Sequence, residues 1–255
     1  MINSTLSVNN LSIQIKERTI FQHASFTITS GEAVLLSGPN GIGKSSLLKS
    51  IMRLETENKV IKGSIEYSGF GNILALDNSK IQKLRSSIAY VQQKDEFAEM
   101  GNVQVRDILS DSREAFSGRS LTNAEVNDLI DEWIPRRRDN ARVFDAKSKP
   151  AKFSGGEQRL LSVLSVVATR STADLMIIDE PLNNLDFVNA RNISNVINKV
   201  LRDHQKTSLL MISHCRIFPF ITREIKLTNN GVVEIPEHYV CHSCFGDHDE
   251  NGFYE

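Results

Sequence analysis

The residues best suited to chemistry form a glycine-rich run that ends in a lysine and a serine. It reads Gly38-Pro39-Asn40-Gly41-Ile42-Gly43-Lys44-Ser45, fits the pattern G-x-x-x-x-G-K-[ST], and lies between an apolar strand and a helix opening with Ser46. Such glycines let the backbone form a ring of N–H donors for phosphates, and the helix N-terminus adds its positive dipole. We predict that Lys44 reaches the β- and γ-phosphates and that Ser45 ligates Mg²⁺.

A second run points to a family. Phe153-Ser154-Gly155-Gly156-Glu157-Gln158 resembles the signature of the ATP-binding cassette (ABC) ATPases, which usually read L-S-G-G-Q, so Phe153 and Glu157 are departures. The resemblance covers roughly residues 5–230. It implies an α/β fold, a P-loop NTPase of ABC type with an antiparallel β layer and an inserted helical subdomain.

Further motifs follow in the order that the resemblance requires. The apolar stretch 175–178 ends in Asp179 and Glu180, as the family's Walker B strand does, and the D-loop follows, ending at Asp186. Another apolar strand is followed by His214, the position of the family's switch histidine. Two adjacent glutamines fit the Q-loop, and we choose Gln93 over its neighbour because the family places this glutamine two residues after the valine.

The resemblance implies a role for each of these residues. Mg²⁺ would be held by Ser45, by Asp179 through water, and near Gln93. Glu180 would polarise the attacking water, and His214 would hydrogen-bond the γ-phosphate and hold that water in line, so that Glu180, His214 and Gln93 form the catalytic set. The expected ATP ligands come from both glycine-rich motifs: Gly38, Pro39, Asn40, Gly41, Ile42, Gly43, Lys44, Ser45, Ser46, Ser154, Gly155, Gly156 and Glu157.

The signature implies a dimer. Ser154 opens a helix whose free backbone N–H groups make a second anion site, which one monomer cannot bring onto its own nucleotide. The family solves this by head-to-tail dimerisation, so we expect a homodimer or a heterodimer with a second ABC ATPase. Each ATP would lie between Lys44 of one subunit and Ser154 of the other, with Asp186 communicating across the interface.

One position departs from the family in the first β layer. The family usually places an aromatic residue there to stack on adenine, and the sequence register assigns this position to Ile15. An aliphatic side chain lacks a ring for stacking. We therefore expect weak selectivity for the base.

Composition narrows the class of protein. The 255 residues carry 30 Lys and Arg against 31 Asp and Glu, a net charge of −1, so no nucleic-acid partner is expected. Three cysteines and a first segment without a signal peptide favour a cytoplasmic protein. The longest apolar stretches fall short of the roughly 20 residues that span a bilayer. A membrane-spanning partner would then be a separate chain.

Three parts are predicted along the chain. Residues 1–94 and 154–235 form the ATP-binding core, an antiparallel β layer plus a RecA-like lobe. Residues 95–153 form the helical subdomain, and residues 236–255 form a tail. In that tail Cys241 and Cys244, with His238 and His248 nearby, could bind Zn²⁺. A single C-x-x-C makes a tail without metal the better interpretation.

Two functions fit this organisation. One is the ATP-binding and hydrolysing subunit of an ABC transporter, peripheral on the inner face of the membrane and powering separate transmembrane subunits. The other is a soluble mechanical ATPase acting on DNA or ribosomes. The residues after the signature resemble those of chromosome-maintenance and repair ATPases. Such repair ATPases insert a long coiled coil before the signature, but here Ser154 follows Ser45 by only 109 residues. The sequence therefore favours the transporter subunit.

Overall fold

The computed structural model describes residues 4–54, 58–93, 97, 100–137, 139–182, 185–214 and 218–236. Within these residues the chain forms two β-sheets and six α-helices. The Cys/His tail predicted at 236–255 lies outside the described residues, apart from position 236. The zinc interpretation of Cys241 and Cys244 therefore stays a prediction.

The smaller sheet is antiparallel. Its strands are β1 (Ser4–Ile15), β2 (Arg18–Thr29), β4 (Lys59–Tyr67) and β5 (Gly71–Asn72), in the order β2-β1-β4-β5. Alternating apolar residues of β1 and β2 are buried, which is the pattern of strands with one face on a core. This sheet is the predicted antiparallel β layer.

The larger sheet carries the chemistry-bearing loops. Its strands are β3 (Ala33–Ser37), β6 (Ile88–Val91), β7 (Leu175–Asp179), β8 (Ser208–Ile212), β9 (Arg223–Thr228) and β10 (Gly231–Ile235), in the order β10-β9-β3-β8-β7-β6. All neighbours are parallel except β9 and β10. Because β3, β7 and β8 end at the same edge of the sheet, the loops that follow them meet there.

Helices cover both faces of this sheet. They are α1 (Lys44–Ile51), α2 (Asn78–Ser87), α3 (Val105–Ser117), α4 (Asn123–Trp133), α5 (Gly155–Val167) and α6 (Phe187–Asp203). Alternate residues of the parallel strands face two apolar cores: Leu35 joins the core formed with α3 to α6, and Leu36 joins the core formed with α1 and the antiparallel sheet. No described helix has the length and apolar character needed to cross a membrane.

Most elements agree with the sequence prediction. The α/β class is confirmed, and α6 spans an amphipathic stretch whose apolar face is buried. The span before β6 is rich in turn-forming residues, but it contains α2, which begins where Asp77 accepts a hydrogen bond from the backbone N–H of Lys80. Strand β10, a short edge strand with mixed polarity, has no counterpart in the sequence prediction. Helices α3 and α4 lie inside the predicted helical subdomain, whose boundaries remain a prediction.

Candidate functional site

The predicted phosphate-binding loop joins the buried strand β3 to α1. Gly38, Gly41 and Gly43 have positive φ angles of 139°, 76° and 105°. A Cβ atom at Gly43 would lie 2.4 Å from Cγ2 of Ile20, and one at Gly38 would lie 2.7 Å from the backbone oxygen of Leu227. Glycine is therefore required at both positions by neighbouring atoms as well as by backbone geometry.

Lys44 is held inside this loop. Its side chain is buried, and Nζ donates to the backbone oxygens of Gly38 at 2.7 Å and of Pro39 at 3.0 Å. Burial lowers the pKa of Lys44, while the nearby carboxylates of Glu180 and Asp179 act in the opposite direction. The ammonium group thus lies at the centre of the loop, bonded to neutral carbonyls that phosphate oxygens could replace as stronger partners.

Asp179 and Ser45 form the part of the site that suits a divalent cation. Asp179 is 2% exposed at the end of β7, and burial raises its pKa, against a hydrogen bond from Ser45 that lowers it. Its Oδ1 atom is buried without a hydrogen-bond partner among the described residues. A buried carboxylate oxygen without a partner is costly, and a hydroxyl and a carboxylate are ligands that Mg²⁺ accepts. The donor set therefore fits magnesium.

Glu180 stands at the centre of the candidate catalytic group. Its backbone has the unusual φ of 49°, and its N–H donates to the oxygen of Ile212 on the neighbouring strand β8. Oε2 accepts a hydrogen bond from Nε2 of Gln93 at 3.0 Å, and Oε1 lies 3.2 Å from Nε2 of His214. A strained backbone that is held by a sheet hydrogen bond is typical of a functional position. The structure thus brings together all three residues of the predicted catalytic set.

A cleft of about 570 Å³ opens above these groups. It is lined by Ile20, Asn40, Gly41, Gly43, Lys44, Ser45, Ser46, Gln93, Glu180 and His214. Its walls are mostly polar, which suits a phosphate chain better than an apolar ligand. A second cleft of about 470 Å³ shares Ile20, Asn40 and Gly41 with it and extends to the β9–β10 turn.

Ile20, which the sequence analysis did not single out, lines both clefts. Ile15 is the last residue of β1, beside the turn to β2, and lines neither cleft among the residues described. The aliphatic residue that contacts the phosphate-binding loop is thus Ile20, which packs over Gly43. The assignment of Ile15 to the base remains a prediction.

The signature lies on a separate element, at the start of α5. Ser154 caps this helix by accepting a bond from the backbone N–H of Glu157, whose carboxylate accepts in return from the backbone N–H of Ser154. Arg137 pairs with Glu157 at 2.7 Å. The described lining of the 570 Å³ cleft includes no signature residue. Within one subunit the two predicted phosphate sites are therefore separate.

Asp186 caps α6 and holds Asn189, which lies against the second glycine of the signature. It accepts hydrogen bonds from the backbone N–H of Asn189 at 2.9 Å and from its Nδ2 at 2.7 Å, and these bonds lower its pKa. A Cβ atom added to Gly156 would lie 2.3 Å from the same Nδ2. The second glycine of the signature therefore lets α5 pack against Asn189. Sequence reasoning did not predict this contact, because it joins two segments 33 residues apart.

Arg159 is a second residue that the sequence analysis did not assign to the site. It is 5% exposed on α5, and its guanidinium contacts the backbone of both the Q-loop and the Walker B strand. One feature of the sequence could have indicated that Arg159 is buried. It is a charged residue near the start of a helix whose next residues are apolar or small.

The fold and the site define a P-loop nucleotide-binding domain of the cassette type, with a phosphate-binding loop, a Walker B pair and a capped signature helix. The family model described as "ABC transporter" matches residues 21–183, more than half of the sequence. The chain belongs to this family.

Curated relatives agree with this assignment. "ABC transporter F family member 5" of Arabidopsis thaliana is 29% identical over 237 residues, which are 92% of this chain and 28% of the relative, so the chain spans little more than a quarter of that protein. A probable ABC transporter ATP-binding protein of Cyanophora paradoxa is 28% identical over 78% of this chain and 75% of the relative.

A solved structure titled "Structure of ATP binding subunit of ABC transporter" superposes with a TM-score of 0.69. It covers 91% of this chain and 89% of its own, at 23% sequence identity. This likeness supports the fold described above.

Proposed function

We propose that this chain is the ATP-binding and hydrolysing subunit of an ABC transporter. The observation that carries the proposal is the placement of Glu180, bonded to Gln93 and His214, at the mouth of a phosphate-binding loop that holds Lys44. The similarity to a relative named as a transporter ATP-binding protein, 75% of whose length is matched, supports transport over the soluble alternative.

Each residue has a step in the proposed reaction. Lys44 leaves its loop carbonyls and binds the β- and γ-phosphates, while the loop N–H groups bind the remaining oxygens. Glu180 accepts the proton of the attacking water, and His214 holds the γ-phosphate in line with that water. Ser45 and Asp179 would hold Mg²⁺, with Gln93 near it, and the bound ion would neutralise charge on the phosphates.

The second half of each site would come from a partner subunit. Because the signature lies outside the cleft of its own subunit, we propose a head-to-tail dimer in which Ser154 and the α5 N-terminus bind the ATP of the partner. Closure and release of such a dimer would move separate transmembrane subunits, with the chain on the cytoplasmic face of the membrane.

Phosphate release from ATP by the purified chain, with and without added Mg²⁺, tests the enzymatic part. The transport part is tested by co-purification with a multi-span membrane protein encoded by a neighbouring reading frame. Mg²⁺-dependent turnover that this membrane protein stimulates supports the proposal. Turnover that responds to DNA or ribosomes, and not to the membrane protein, would favour the soluble alternative.

A further inference from the structure

Arg159 connects three functional segments through its side chain. Nη1 donates to the backbone oxygen of Gln92 at 2.5 Å, and Nη2 donates to the oxygens of Asp179 at 2.9 Å and Glu180 at 3.1 Å. Nε donates to the oxygen of Pro181 at 3.2 Å. One side chain on the signature helix is therefore bonded to the backbone of the residue before Gln93 and to the backbone of the segment 179–181, which includes both Walker B carboxylates.

This arrangement needs an arginine. A buried cation is costly unless its donors are bonded, and the planar guanidinium offers five N–H groups that diverge in one plane. Lysine would present a compact ammonium at the end of a flexible stem and could reach fewer of these carbonyls. Arg159 bonds to backbone oxygens. It therefore fixes the path of the backbone beside Gln93 and at Glu180, and it does not contact their side chains through these bonds.

We propose that Arg159 is a positioning residue that couples the two ATP sites of the dimer. It lies five residues after Ser154 on the helix that the capping box of Ser154 and Glu157 opens. In the proposed dimer, Ser154 binds the partner's ATP, whereas Glu180 and Gln93 act on the ATP of their own subunit. Through Arg159, engagement of the signature at one site would set the backbone of the catalytic residues at the other. This inference rests on the proposed dimeric function.

Loss of the Arg159 bonds should lower the rate of ATP hydrolysis while ATP binding and dimerisation are retained. Arg159→Met keeps the apolar stem and removes the bonds to the carbonyls. ATP should still bind, because Lys44 and the loop are intact, and ATP should still dimerise the chain in a Glu180→Gln background. The kcat for ATP hydrolysis should fall about 10–100-fold, the size expected when catalytic groups are slightly misplaced. Arg159→Lys should recover part of the loss.

Arg170→Met is the matched control. Arg170 is also partly buried and also donates to backbone oxygens, those of Arg85 and Ile88, but at the start of β6 and away from the cleft. Its loss should lower the melting temperature without selectively lowering kcat. The measurements are the ATP dissociation constant, kcat, ATP-dependent dimerisation and melting temperature of wild type, Arg159→Met, Arg159→Lys and Arg170→Met.

A drop in kcat with ATP binding and dimerisation retained in an Arg159 variant supports the coupling role. Wild-type kcat in Arg159→Met overturns it, as does a parallel loss of binding, dimerisation and kcat in both Arg159 variants, because that pattern indicates only structural support. A wild-type chain that does not hydrolyse ATP contradicts the proposed function instead, so the two failures are distinguishable.

Discussion

Gln93 donates from Nε2 to Oε2 of Glu180 at 3.0 Å, although the two residues are 87 positions apart in the sequence. This bond joins the segments after β6 and β7, two strands that pair in parallel in the larger sheet. It places the Q-loop amide directly on the carboxylate that would act on water. Gln93 would therefore have to leave Glu180 if it approached a Mg²⁺ ion held by Ser45 and Asp179.

From this contact we expect Gln93→Ala to lower kcat about 10–100-fold, the usual effect of removing a group that orients a metal site or its ligands. The neighbouring variant Gln92→Ala is the matched control, because the contact of Gln92 with Arg159 uses its backbone oxygen. Steady-state ATPase rates of both variants check the prediction. A loss of ATPase activity confined to Gln92→Ala would show that Gln92, and not Gln93, is the Q-loop glutamine.

A second prediction concerns Gly156. The Cβ of Gly156→Ala would meet Nδ2 of Asn189, which is held by two bonds to Asp186, so the variant should lose about 1–3 kcal/mol of unfolding free energy. Gly155→Ala should be nearly neutral, because a Cβ there meets no atom within 4 Å. Urea unfolding gives both values.

The Asn189→Ala background tests the cause of that loss. If the clash with Asn189 is responsible, Gly156→Ala should cost clearly less in Asn189→Ala than in wild type, since the obstructing amide is gone. An unchanged cost would assign the effect to another contact of the signature helix.

Selectivity for the base gives a third prediction. Neither Ile15 nor Ile20 offers an aromatic ring, so recognition should depend mainly on phosphates and Mg²⁺, which all nucleoside triphosphates share. GTP should bind within about tenfold of ATP, a difference of roughly 1.4 kcal/mol or less. Titration of both nucleotides measures this ratio, and a strong preference for ATP would indicate that another residue contacts the base.

Two variants test which isoleucine lies near the nucleotide. Ile15→Tyr should tighten ATP binding if the sequence register is right, because a ring at that position can stack on adenine. Ile20→Ala should weaken ATP and GTP alike, because Ile20 lines the cleft and packs over Gly43. No response to Ile15→Tyr would favour Ile20 as the residue beneath the nucleotide.

The sequence predicted the parts of the site that follow directly from a strand or begin a helix. Glu180 and His214 follow the parallel strands β7 and β8, and Lys44 begins helix α1 after the loop from β3, so the ends of these elements determine their location. The contacts of Arg159 and Asn189 could not be predicted in this way. They join a helix to distant backbone or to another helix, and only the packed structure determines those distances.

Helix α2 and strand β10 carry weak local signals in the sequence. Helix α2 has a low apolar content, with only Ile81 and Leu84 buried, so its periodic pattern is faint. Strand β10 has one buried residue, Gly231, at its start and is held by pairing with β9. Both depend on tertiary contacts rather than on a local apolar pattern.

The central claim is that Glu180 acts as the catalytic base, because its carboxylate is the one placed to act on water. ATP hydrolysis and ATP binding should be measured together in wild type, Glu180→Gln and Lys44→Ala. We predict that Glu180→Gln retains ATP affinity, accumulates an ATP-bound dimer and loses turnover by about 100-fold or more, whereas Lys44→Ala loses ATP affinity. Wild-type turnover in Glu180→Gln would contradict the assignment of this residue as the catalytic base.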